Sequence, residues 1–111
     1  MAITFSNLVT TKFIENTQTT QYISTGSITI IDKFTVTNVT SSNVTLSVNI
    51  VIANGGVSSS NTVVSTKTIP PGVTDLMSEI VGQTLNTGQF ISTIASASSS
   101  LTLRISGRTI T

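Results

Sequence analysis

Apolar and polar residues alternate along most of this chain, which is the pattern of half-buried β-strands. The alternating runs are separated by short segments rich in Gly, Pro, Asn and Ser, which favour turns. Runs of this length and spacing are typical of a sandwich or a barrel. The predicted strands cover residues 2–8, 11–14, 20–25, 28–39, 43–53, 61–69, 89–97 and 100–110.

The run 28–39 has an apolar even-numbered face with one interruption. The apolar residues of this face are Ile28, Ile30, Phe34 and Val36. Asp32 breaks the face, which predicts either a β-bulge or a passage of the strand from the core to a sheet edge.

The run 43–53 alternates more regularly. Its apolar face carries Val44, Leu46, Val48, Ile50 and Ile52. Val51 lies on the opposite, polar face, so we expect burial on both sides near that end.

Residues 75–81 are the least strand-like part of the chain. Leu76 and Ile80 have helical spacing, and Asp75 precedes them at the position where a carboxylate favours a helix N-terminus. The sequence therefore predicts an all-β fold, an antiparallel two-sheet β-sandwich that is immunoglobulin-like or jelly-roll-like, with one short helical turn near 75–81. We expect residues 1–111 to form a single domain.

The composition supports this fold class. Charged residues are 8% of the chain, against about 25% in an average domain. Hydroxyls replace them, with 22 Thr and 17 Ser among 111 residues. Because the Ser and Thr are interleaved with β-branched apolar residues, the composition favours pleated strands over disorder.

The charge balance bears on partners and location. A net charge of +1 gives no long-range field to gather nucleic acid. The near-neutral surface has little colloidal repulsion, which favours a homo-oligomer or a lattice subunit. The first residues lack the basic and apolar regions of a signal peptide, and the longest apolar run, 50–53, is too short to span a membrane. We expect a protein made in the cytoplasm that does not enter a membrane.

The chain has no His and no Cys, which removes the usual nucleophile and base pairs and most transition-metal sites. Four carboxylates remain, Glu15, Asp32, Asp75 and Glu79. Asp75 and Glu79 would share one face of a helical turn, as in a calcium site or a glycosidase. A solvated turn explains them better, so we predict no catalytic residue, no metal and no cofactor. A small carboxylate hydrolase ranks far behind the other hypotheses.

Two arginines lie in the last strand. If Leu101, Leu103 and Ile105 point inward, Arg104 and Arg108 share the outer face, about 13 Å apart. They could keep the strand soluble and discourage edge pairing, or they could bind a carboxylate on a neighbouring subunit. Arg104 and Arg108 are therefore the candidate interface residues.

Five aromatic residues could include an exposed interface anchor, although core packing is the expectation for each. They are Phe5, Phe13, Tyr22, Phe34 and Phe90.

The second half of the chain resembles the end of small virion structural proteins of tailed bacteriophages. The resemblance spans roughly 40 residues and consists of turn and strand motifs rather than chemistry. These motifs are Pro71-Gly72, Leu76 to Gln83, Asn86 to Gly88, Ile91 to Ser96 and Ser106-Gly107. Gln89 and Arg108 depart from the pattern, since each stands where an acid is common.

The resemblance implies a non-enzymatic β-sandwich of the virion, most simply a capsid decoration or cement protein that stabilises the capsid lattice. Its partner would be the major capsid protein or another virion protein. The alternative is a tail, neck or fibre component that acts as a host-surface binding module.

Overall fold

The computed structural model describes residues 1–111 and consists almost entirely of antiparallel strands. The strands are β1 (Ile3–Phe13), β2 (Thr19–Ile23), β3 (Ile28–Asn38), β4 (Val44–Val51), β5 (Thr62–Ile69), β6 (Thr74–Asp75), β7 (Thr84–Leu85), β8 (Phe90–Ala95) and β9 (Leu101–Ile110). A single 3-10 helix covers Ser59–Asn61, and no helix is long and apolar enough to cross a membrane.

The strands form two sheets that pack face to face, which confirms the predicted all-β sandwich. The first sheet has the order β1-β9-β3-β6, with β7 also paired to β3. The second sheet has the order β2-β8-β4-β5. In the first sheet β9 is an interior strand, because it pairs with β1 on one side and with β3 on the other. One long edge of that sheet is β1.

The core lies between the sheets and is built from alternate residues of the long strands. One cluster contains 18 buried apolar residues. They are Val9, Ile14, Ile31, Phe34, Val36, Val44, Leu46, Val48, Val64, Ile69, Met77, Ile80, Leu85, Ile91, Ala95, Leu101, Leu103 and Ile105.

Most predicted strands are present, with two differences. The runs 2–8 and 11–14 are parts of one strand, β1, whose pairing with β9 shifts register between Asn7 and Val9 and again before Lys12. The strands β6 and β7 were not predicted, because two residues are too few to show an alternating pattern.

The predicted bulge in β3 is present at Asp32. The β3–β9 register passes from Ile31 opposite Gly107 to Lys33 opposite Ser106, so Asp32 is an extra residue. The bulge exchanges the two faces of the strand. Phe34 and Val36 are buried as predicted, but before the bulge the buried residues are Thr29 and Ile31.

The prediction that Ile28 and Ile30 face the core is therefore wrong. Both lie on the outer face, where Ile28 is 40% exposed and Ile30 is half-buried. The physical reason is the extra residue at Asp32, which keeps a carboxylate out of the core and reverses the parity before it.

In β4 the predicted burial on both sides near Val51 is confirmed. Val48 lies in the core cluster, while Asn49 and Val51 are also buried. Ile52, predicted on the core face, is 67% exposed because the strand ends at Val51.

No regular helix occupies 75–81. The segment forms turns instead, in which Ile80 and Val81 donate to the carbonyl of Met77 at 2.9 and 3.2 Å. Met77 has a φ of +47°, a left-handed conformation in which a regular helix cannot begin. The turn buries Met77 and Ile80 against the core, but Leu76 remains 61% exposed.

Asn38 is a fully buried polar residue that joins two loops and the end of β5 to the sandwich. Its Nδ2 donates to the carbonyls of Ser42 and Ile69 at 2.7 and 2.8 Å, and its Oδ1 accepts from the backbone N–H and the hydroxyl of Thr40. Its backbone bonds to Gly72 and Val73 of the Pro-Gly turn. Because every polar atom is satisfied, this side chain stabilises the loops without an exposed charge.

We predict that Asn38→Ala lowers the free energy of unfolding by about 2–3 kcal/mol, because it leaves the buried carbonyl of Ile69 without its side-chain donor. Urea denaturation measures the change. The control is Asn43→Ala in the same loop, where the side chain is exposed and the expected change is below about 0.5 kcal/mol. Equal effects from the two substitutions would contradict the assignment.

Candidate interface site

The outer face of the first sheet carries both candidate arginines. Leu101, Leu103 and Ile105 are buried, so Arg104 and Arg108 point outward as predicted. Because β9 is an interior strand, however, its backbone groups are already paired on both sides. The expectation that these arginines discourage edge pairing is therefore wrong.

Arg108 is bound within the chain. Its Nε lies 3.2 and 3.1 Å from the two carboxylate oxygens of Asp32, and its Nη2 lies 3.0 Å from Oδ1. Both side chains are a little over one-third exposed. The β3 bulge places Asp32 on the outer face, where this forked contact neutralises the charge of Arg108.

Arg104 has no such counter-charge. Its Nη2 donates to the amide oxygen of Asn7 at 2.8 Å, and the side chain is otherwise exposed. Lys33 stands opposite Ser106 on the same face and makes no ion pair. All four carboxylates of the chain pair with Lys12, Lys67 or Arg108, so Arg104 and Lys33 are the two unneutralised side-chain cations.

Beside these cations, three strands align their apolar residues in rows. Ile3, Ile110 and Ile28 stand side by side across β1, β9 and β3. In the next row Phe5 and Ile30 flank Arg108. Ile3 is 53% exposed and Phe5 is 76% exposed, so this end of the sheet presents apolar side chains to solvent.

We call this surface the arginine face. Its residues are Ile3, Phe5, Asn7, Ile28, Ile30, Asp32, Lys33, Arg104, Ser106, Arg108 and Ile110. A shallow, open depression of about 440 Å³ lies between Phe5, Asp32 and Arg104. The face combines exposed apolar area with two cations on a rigid sheet, an arrangement suited to binding a protein surface that carries carboxylates.

The aromatic residues divide between core and surface. Phe34 is fully buried, as expected, but Phe5 and Phe13 are 76% and 49% exposed, so the core expectation was wrong for those two. Both lie on β1, which has a neighbour on one side only. Tyr22 and Phe90 are half-buried.

Sequence reasoning missed most of the arginine face. No local pattern indicated that four of its residues lie together, because their grouping depends on strand pairings between distant segments. These residues are Ile3, Ile28, Lys33 and Ile110. The one usable signal was Asp32, whose position on the apolar face of the run predicted either a β-bulge or a passage of the strand to a sheet edge.

The structure brings Asp75 and Glu79 together through a lysine. Lys67 Nζ lies 3.1 Å from Asp75 Oδ1 and 2.9 Å from Glu79 Oε2. Asp75 Oδ1 also accepts from the backbone N–H of Met77 at 2.8 Å, which fixes the turn. Both carboxylates therefore make ion pairs within the chain.

These contacts shift two pKa values. The hydrogen bond from Lys67 lowers the pKa of Glu79 below its ordinary 4.5, with a backbone hydrogen bond adding to it and partial burial opposing it. The same hydrogen bond raises the pKa of Lys67 above 10.5; burial opposes the shift and Asp75 adds to it. Both partners therefore stay charged through neutral pH.

Glu15, the remaining carboxylate, ties the end of β1 to the second sheet. Burial raises its pKa, but hydrogen bonds from Lys12 and Gln21 at 2.8 and 2.9 Å outweigh burial, so the pKa falls below 4.5. Gln21 also donates to Thr93 of β8 at 3.0 Å.

Comparison with protein-family profiles, curated protein sequences and solved structures found no significant match to this chain. The relationship to phage virion proteins stays a prediction.

Gly107 lies beside the β3 bulge, where the backbone of β3 leaves no room for a side chain. A Cβ at this position would overlap the carbonyl oxygen of Ile30 and lie 3.1 Å from Leu8 Cδ1. We expect Gly107→Ala to lower the free energy of unfolding by at least about 2 kcal/mol, because the backbone of β3 must move. The matched control is Gly56→Ala, whose Cβ would meet nothing within 4 Å. Chemical denaturation that gave the same stability for both variants would refute this account.

The Lys67–Glu79 contact predicts a pH dependence. Because the folded-state pKa of Glu79 is lowered, its stabilising contribution is complete above about pH 4.5 and is lost as the pH falls through the folded-state pKa. The difference in unfolding free energy between the wild type and Glu79→Gln should be constant near neutral pH and shrink below pH 4.5. Solvent exposure limits it to about 1 kcal/mol or less. Ser78→Ala in the same turn should show no such pH dependence.

Proposed function

We propose that this protein is a non-enzymatic structural subunit of a tailed-phage virion that decorates the outside of the capsid and stabilises its lattice. The observation that carries the proposal is the arginine face, which joins exposed apolar rows to two unneutralised cations. The order of turns and strands in residues 71–107, which resembles such virion proteins, supports the same proposal.

The arginine face would bind an acidic, partly apolar surface of the major capsid protein. Burial of Phe5 and Ile3 would contribute about 25 cal/mol per Å² of apolar area removed from water. Arg104 can reach a carboxylate of the partner, because the one hydrogen bond of its side chain inside the chain is to a neutral amide. Arg108 is held by Asp32 and would contribute shape rather than charge.

Decoration stabilises a lattice by linkage. A protein that binds the assembled capsid and not its separate subunits favours assembly by RT ln(1 + [L]/Kd). No chemical step is needed, which agrees with four carboxylates that are all engaged in ion pairs. A stiff sheet with few charges suits a part that works by contact area.

Cryo-electron microscopy of the phage particles produced from a genome that encodes the chain tests this proposal. We expect density for the sandwich on the capsid exterior, with the arginine face toward the lattice. Density at the tail, neck or fibre and none on the capsid would replace decoration with the host-surface binding alternative. Particles that lack the protein altogether would overturn both.

Charge substitutions test the surface itself. We predict that Arg104→Ala with Lys33→Ala weakens capsid binding by about tenfold at low salt and by less at high salt, because the lost attraction is screened. Binding to capsids that lack the protein is measured by sedimentation at two salt concentrations. Lys12→Ala is the control, since Lys12 is paired with Glu15 away from the face. Unchanged binding of the double variant would indicate that these cations contribute to solubility and not to capsid binding.

A further inference from the structure

Three of the free sheet edges are blunted against strand pairing. In the second sheet, β5 carries Lys67 and a bulge, where Thr66 has a φ of +45°, and Pro70 follows it. The other edge, β2, has five residues and a register shift of its own. The far side of the first sheet ends in the two-residue strands β6 and β7. Bulges, lysines, prolines and short strands are the usual devices that prevent edge-to-edge association.

The remaining edge, β1, has none of these devices over its first half. From Ile3 to Asn7 it pairs with β9 in unbroken register. The first charged side chain of the chain is Lys12, and no proline precedes it. This half of β1 is a regular, uncharged edge next to the apolar rows, which is the type of edge that pairs with another strand.

The backbone groups available on this edge follow from the pairing with β9. Ala2 and Thr111 exchange both of their hydrogen bonds, at 3.2 and 3.0 Å. Antiparallel strands alternate between bonded and non-bonded pairs, so Thr4 and Ser6 also bond to β9. The N–H and C=O groups of Ile3, Phe5 and Asn7 consequently point away from the sheet.

We propose that the free edge of β1 binds a second copy of this chain by antiparallel strand pairing across a two-fold axis at Phe5. Phe5 pairs with Phe5 of the second copy, and Ile3 pairs with Asn7 of the second copy on either side of the axis. Each pair exchanges both N–H···O bonds, so the outward groups of all three residues are satisfied.

The chemistry of the edge favours a copy of itself over an unrelated strand. The contact is isologous, so one uncharged sequence supplies both sides and no like charges meet on the paired strands. The two phenyl rings stand opposite each other on the outer face, a cross-strand pairing that is favourable. The first sheets of the two copies become one continuous sheet, and the arginine faces lie on the same side of it. The inference does not depend on a role in a virion.

Association is tested on the purified full chain by light scattering and by amide hydrogen exchange over a concentration series. We expect a monomer–dimer equilibrium. In the dimer, the amides of Ile3, Phe5 and Asn7 become protected, whereas those of Thr4 and Ser6 are protected at every concentration. This alternation is specific to edge pairing. A chain that stays monomeric up to about 1 mM, well above the range of specific association, would overturn the proposal.

Substitutions separate the edge from the face. Phe5→Pro removes an outward N–H that the fold does not use, and proline is tolerated on edges of this kind. We expect it to raise the dimer dissociation constant at least about tenfold, whereas Phe5→Thr, which keeps the N–H, raises it only a few-fold. Ile28→Ser alters the face two strands away from the edge and should leave dimerisation unchanged. Equal losses for Phe5→Pro and Phe5→Thr, or a loss for Ile28→Ser, would overturn edge pairing. If Phe5→Pro fails to fold, the amide hydrogen-exchange pattern of the wild type still tests edge pairing.

Discussion

The organisation of the first sheet depends on one extra residue in β3. If Asp32 continued the even parity of Phe34, its carboxylate would enter a core that holds no counter-charge. The bulge opposite Gly107 avoids this cost by turning Asp32 outward. Two consequences follow together: Asp32 pairs with Arg108, and Ile28 and Ile30 lie on the outer face. The ion pair and the exposed apolar rows are therefore products of the same backbone irregularity.

A small number of charges serves mainly to join segments that are distant in sequence. Asp32 and Arg108 connect β3 to β9, and Lys67 connects β5 to the turn after β6. Hydroxyls and amides perform this task in the interior, where Asn38 Nδ2 donates to the carbonyl of Ile69 at 2.8 Å. No buried side-chain donor or acceptor lacks a partner. The abundance of Ser and Thr thus has a structural use beyond solubility, since neutral groups can be buried at lower cost than ions.

Local information in the sequence was enough to predict the long strands but not the surfaces that they form together. Alternation predicted the long strands and the outward direction of Arg104, because strand parity is a local property. The burial of residues before Asp32 depended on Gly107, which lies far along the chain and acts only through pairing. From the sequence, Phe5 was expected in the core. It is exposed because β1 lies at the edge of the sheet, which the local sequence does not reveal. The ion-pair partner of Asp75 was not predicted either, since Lys67 reaches it from β5.

One lysine is shared by two carboxylates while two other cations have no partner, so the charge of the molecule is unevenly distributed. Arg104 and Lys33 project from the outer face of the first sheet, whereas the cluster of Lys67 with Asp75 and Glu79 carries one excess negative charge. The molecule consequently has a dipole despite a net charge of only +1. Within a Debye length of about 8 Å from an acidic surface, that dipole exerts a torque that turns the cationic sheet inward before contact. Orientation during the encounter is thereby set by where the charges are balanced rather than by how many there are.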